Sequence, residues 1–176
     1  MRILICILLY ITNSELATAQ DSIRVFGATV RCTSLNSSIW EPSQRGLDSS
    51  SNKFVLMYTH SPILDKEGIS IQPVIAVICE ELSSPLNVID YSLWKRKQVS
   101  FIVDSIYSKY SSTLSYWNGI GYAAHYGRNS LVHKLFVGHF RHKHVGVQVI
   151  CDSTEGVYEA VEQDFRSFLR SVTLAD

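Results

Sequence analysis

Residues 114–151 read LSYWNGIGYAAHYGRNSLVHKLFVGHFRHKHVGVQVIC, and five of the chain's six histidines lie in this stretch. Two turn signals divide it. Gly127-Arg128-Asn129-Ser130 supplies Gly and Asn, which tolerate positive φ. Arg141-His142-Lys143-His144 is a short polar break between apolar runs. After it Val145, Val147, Val149 and Cys151 fall on alternate positions, the mark of a strand with one buried face. The stretch predicts three consecutive antiparallel strands.

Upstream, Phe26, Ala28, Val30 and Cys32 alternate with Arg31 and Thr33, predicting a half-buried strand over Arg24–Leu35. Residues 36–52 are rich in Ser, Gly, Asn and Pro and read as a loop, with Ile39 and Trp40 as its apolar anchor. Asn36-Ser37-Ser38 has the form of a glycosylation sequon. Lys53–His60 is a second strand, and Pro62–Ser70 a turn. Ile71–Cys79, apolar on both faces, predicts a central strand covered on both sides, with Pro73 at an unpaired end. Asn87 is a good N-cap with Asp90 three residues on, and Ile89, Leu93, Val99, Ile102 and Ile106 follow helical spacing. That predicts a helix to about Tyr107. A closing helix, capped by Ser153 or Thr154, carries Val157, Val161, Phe165, Phe168 and Val172 as its apolar stripe.

The 176 residues suit one domain, at 20–176, and the 46% apolar content is that of a globular protein. The zero formal charge argues against nucleic acid as a partner. Met1-Arg2, the apolar run Ile3–Ile11 and Ala17-Thr18-Ala19 form a signal-peptide pattern over residues 1–19. The run is too short to span a bilayer, so a secreted or periplasmic protein that is not integral to the membrane is expected. In such a compartment two of Cys32, Cys79 and Cys151 could pair, or all three could pack as buried thiols.

The predicted order β-β-β-α-β-β-β-α resembles the PsbP-like superfamily, which includes the P subunit of the photosystem II oxygen-evolving complex and small bacterial envelope proteins. The residues that carry the resemblance are Asn87-Val88-Ile89-Asp90-Tyr91 at the middle helix, Gly121-Tyr122-Ala123 in the fourth strand, and VYEAVEQDFRSFLRSV over 157–172. It covers Ile23 to Leu174. It implies an α/β fold of the α+β type, a central antiparallel sheet of about six strands flanked by helices. It also implies a role in binding or scaffolding, with no shared catalytic residues. Where family members carry a Pro ahead of a Trp after the first strand, Trp40 here precedes Pro42.

No G-x-S-x-G, H-E-x-x-H, P-loop or dinucleotide fingerprint occurs in the chain. Three functional readings follow. The first is an exported, non-enzymatic module that contacts an envelope or secreted protein, with Lys95, Arg96, Lys97 and Trp40 as the candidate patch. The second is a transition-metal protein: His142 and His144 project to one side of the turn with His139 near its base, a set suited to zinc or copper. The third is a hydrolase whose site assembles only in space. Glu80 and Glu81, adjacent on a strand, point to opposite faces and make a poor acid/base pair.

Overall fold

The computed structural model describes residues 20–33, 35–48, 51–84, 86–108 and 110–176, with the backbone alone at Gln20. In chain order the strands before the first helix are β1 (Gln20–Val25), β2 (Ala28–Thr33), β3 (Trp40–Asp48), β4 (Lys53–His60), β5 (Ile63–Leu64), β6 (Ser70–Ile71) and β7 (Val74–Glu81). Helix α1 (Val88–Arg96) follows, then β8 (Ile102–Ser108), β9 (Gly119–Arg128), β10 (Leu131–His142) and β11 (Val145–Thr154). Helix α2 (Tyr158–Ser171) and β12 (Thr173–Ala175) complete the described chain.

The stretch at 114–151 forms the expected meander. Asn129 and Ser130, with φ of 51° and 64°, close the β9–β10 hairpin, and Lys143-His144 closes β10–β11. These strands belong to an antiparallel seven-stranded sheet in the order β3-β4-β7-β11-β10-β9-β8. β1, β2 and β12 make a second, three-stranded sheet, and β5 pairs with β6.

The two helices take opposite faces of the large sheet. Adjacent residues on a strand point to opposite sides. On β10, His139 bonds Ser92 of α1, while a Cβ on Gly138 would meet Leu169 of α2 at 2.6 Å. On the α2 face Val145, Val147, Val149 and Cys151 of β11 and Ile75, Val77 and Cys79 of β7 share one apolar cluster with Phe165, Phe168 and the small sheet's Val30 and Cys32. Burial of this cluster, at roughly 25 cal/mol per Å² of apolar surface, is the main force holding the two sheets together. Cys32, Cys79 and Cys151 are free thiols inside it.

This architecture corrects the expected fold class. The described chain is mostly β, twelve strands in three sheets with only two helices, rather than a six-stranded sheet flanked by helices. Three local readings account for the difference. The strand expected over Arg24–Leu35 is the second half of a hairpin, turned at Phe26 and Gly27 with φ of 50° and 77°. The expected loop at 36–52 contains the edge strand β3, which tolerates Pro42 because it sits at a register shift between Pro42 and Gln44. The first helix ends at Arg96, and Ile102–Ser108 is a strand. Ser153 and Thr154 lie in β11 and do not cap α2, whose N-cap is Val157. The signal-peptide pattern at 1–19 lies outside the described residues. No helix among the described residues is long and apolar enough to cross a membrane.

Candidate functional site

Helix α1 begins where the sequence places it. The Asn87 side chain accepts from the Asp90 amide at 2.9 Å and donates to the Asp90 carboxylate at 2.7 Å. The helix is short because Lys97 caps it, its N–H bonding the Leu93 carbonyl. Its underside is polar. Tyr91, Ser92 and Lys95 are buried against the sheet, each over a complementary group.

Glu80 of β7, 6% exposed, is the centre of that seat. It accepts from the Tyr91 hydroxyl at 2.7 Å, pairs with the Lys95 ammonium, and lies 3.8 Å from Lys53. Burial pushes the Tyr91 hydroxyl pKa well up and pulls Lys95 down, the Glu80 carboxylate opposing the shift in Lys95. Gly146 of β11 leaves room for the Tyr91 ring, since a Cβ there would sit 2.8 Å from it. Glu81 points the other way, to within 3.8 Å of His144.

His139 is fully buried beside this seat, its Nδ1 2.8 Å from the Ser92 hydroxyl. Its Nε2 has no partner among the described residues. Burial, with the Lys95 and Arg96 cations adding to it, lowers its pKa to about 3. A Ser–His nucleophile needs a base poised near neutral pH and a group orienting its second nitrogen. His139 has neither, so the pair ties α1 to the sheet instead of activating Ser92.

Beside this tie the surface opens into a groove between α1 and the β8–β9 edge. Two adjoining cavities, about 230 Å³ and about 150 Å³, share Leu93, Arg96 and Tyr122. Phe101 and Val103 line the larger, and Ile89, Ile106 and Ile120 the smaller. Val103 and Ile106 are three apart and would ordinarily face opposite ways. The register shift between Val103 and Ser105 turns both toward the groove. The Arg96 guanidinium lies 5.6 Å from the Tyr122 ring centre. Among the described residues neither Arg96 nor Lys97 has a carboxylate partner. Tyr122 is 2% exposed and its hydroxyl has no partner among the described residues. Burial raises its pKa to about 12, against the pull of Arg96.

The expected metal set is not brought together. His139 is in the core under α1. His142 bonds Asp176 at 2.9 Å and Tyr116 at 3.2 Å, and His144 donates to the Phe26 carbonyl at 2.8 Å. Both turn histidines therefore tie the hairpin tip to the small sheet. Lys143 also reaches Asp176 at 2.6 Å, and with His142 it holds that carboxyl below its ordinary range. Among the described residues no group of three or more His, Cys, Asp or Glu could hold a metal ion.

The expected partner patch divides as well. Trp40 is 2% exposed, donates to Asp164 at 2.9 Å and packs on His60 and Phe165, a plug rather than a contact residue. Lys95 is committed to Glu80. Arg96 and Lys97 remain, and both line the groove. The apolar wall beside them does not follow from the predicted helix, because Val103 and Ile106 lie on the strand β8. No family model and no curated protein matches the chain.

Proposed function

We propose that the protein is an exported binding module that takes up an extended apolar segment of another protein, laid along β8 and pressed into the groove against α1. The observation that carries this reading is the exposed apolar band beside the edge strand β8. Ile89, Leu93, Val99 and Ile106 are 55%, 48%, 37% and 63% exposed around one groove, and Ile102, 63% exposed, lies on the opposite face of β8. β8 is the last strand of the large sheet, so among the described residues one side of its backbone has no neighbouring strand. Clustered exposed apolar side chains are uncommon on a soluble surface and mark interaction sites. Strand addition supplies the other half of recognition, main-chain bonds along the edge and pockets for alternate side chains. The other edge, β3, is less suited: Pro42 removes a donor and the register shifts beside it.

Export rests on the signal-peptide pattern at 1–19, and a binding role is what the resemblance to the PsbP-like superfamily implies. The test is a library of blocked heptapeptides with Val or Ile at alternate positions. The reading expects binders of micromolar affinity. Leu93→Asp and Ile106→Asp should each weaken them about tenfold or more, while Val132→Asp, at an exposed apolar site on β10 outside the groove, should leave them unchanged. A library with no binder, or binders indifferent to Leu93→Asp and Ile106→Asp, would refute it.

A further inference from the structure

We infer that the segment taken up by the groove carries a carboxylate between its apolar side chains, held by the Arg96 guanidinium and the Tyr122 hydroxyl. This rests on the groove reading above and adds the chemistry that selects the partner. Two observations converge on it. Arg96 and Lys97 place two positive charges at an otherwise apolar cavity, and among the described residues no carboxylate answers either. Tyr122 lines both cavities, and its hydroxyl is a buried donor without an acceptor among the described residues. An unmet donor of that kind is costly, so a ligand that accepts from it gains more than a surface contact would.

The end of α1 would by itself attract cations to its last turn. That does not account for the Arg96 guanidinium lying over the Tyr122 ring, 5.6 Å from its centre. A guanidinium beside an aromatic ring still has N–H groups to offer a planar acceptor, which a carboxylate is. The walls contributed by Ile89, Leu93, Ile106 and Ile120 require apolar groups on either side of that acid.

The experiment compares two blocked heptapeptides that differ only in a central Asp or Asn between Val and Ile residues. Calorimetry is run with the wild-type chain, Arg96→Gln and Tyr122→Phe. The wild type should bind the Asp peptide about tenfold tighter than the Asn peptide. Arg96→Gln should bring the two together by weakening the Asp peptide alone. Tyr122→Phe, which keeps the ring, should remove part of the preference, about fivefold. Equal affinities for the two peptides in the wild type, or a preference that survives Arg96→Gln, would overturn the carboxylate and leave the groove reading standing. Binding of neither peptide would overturn both. Decanoate binding as tightly as the Asp peptide would overturn the assignment of the acid to a partner protein.

Discussion

His139 shows how a single residue changes meaning with its surroundings. In the sequence it lies close to a histidine-bearing turn and reads as a metal ligand. In the fold it is three residues back along β10, facing α1, while the turn histidines reach the small sheet. Strand alternation was legible at that point, but β10 is apolar on both faces, so nothing in the sequence said which face α1 would cover. The burial has a pH signature. A histidine whose folded pKa is about 3, against about 6.5 unfolded, stabilises the fold fully above pH 6.5. That contribution drains away as the pH falls from there toward 3. Among the described residues no carboxylate bonds the ring: the groups at it are Ser92, Tyr91, Lys95 and Arg96 from α1 and Tyr122 from β9, and Glu80 is engaged by Tyr91 and Lys95 instead. Denaturant unfolding at pH 7.5 and pH 5 should show His139 removing about 2 kcal/mol of stability over that interval. A His139→Gln variant should lack that part of the slope, and an unchanged slope in the variant would show that the imidazole is not held neutral.

At the scale of the element, α1 is a nine-residue helix seated on polar rather than apolar contacts. A helix this short has little stability of its own, so its seat decides whether it forms. The Glu80–Lys95 pair is the main part of that seat, and both groups are nearly out of reach of water. Breaking such a pair from one side strands a charge, which costs about 3–5 kcal/mol. Glu80→Gln and Lys95→Met should each cost about that much in chemical denaturation. The double replacement Glu80→Leu with Lys95→Met should recover most of the loss. A double variant as unstable as the sum of the singles would mean the pair is not coupled. The start of α1 was readable, because Asn87 and Asp90 cap it as their types suggest. Its end was not. Ile102 and Ile106 sit four apart and imitate helical spacing, although Phe101-Ile102-Val103 favours a strand by its aromatic and β-branched side chains. β3 was hidden for a related reason. An edge strand exposed on most of its length carries the Ser, Pro and Gly of a loop.

On the scale of the whole molecule, the large sheet has one face sealed and one face shared. The small sheet and α2 cover the first, joined through a single apolar cluster. On the second, α1 covers the end near the β10–β11 turn, and the groove opens where it meets β8 and β9. The meander at 119–154 could be read from turn chemistry alone, since its contacts are between sequence neighbours. The sheet order could not. β7 pairs with β11 and β3 with β4, so the two ends of the sheet come from opposite sides of α1 in the chain, and no local pattern encodes that. The groove exists only as a product of that order, because it is the outermost strand that leaves an open side next to α1. The most direct measurement of the account is therefore amide hydrogen exchange with and without a saturating Val/Ile heptapeptide carrying a central Asp. The β8 amides within Ile102–Ser108 that point away from β9 should slow about tenfold or more, with β3 amides unchanged. Protection confined to β3 or elsewhere, or none in β8 at saturating peptide, would contradict a partner strand laid along this edge.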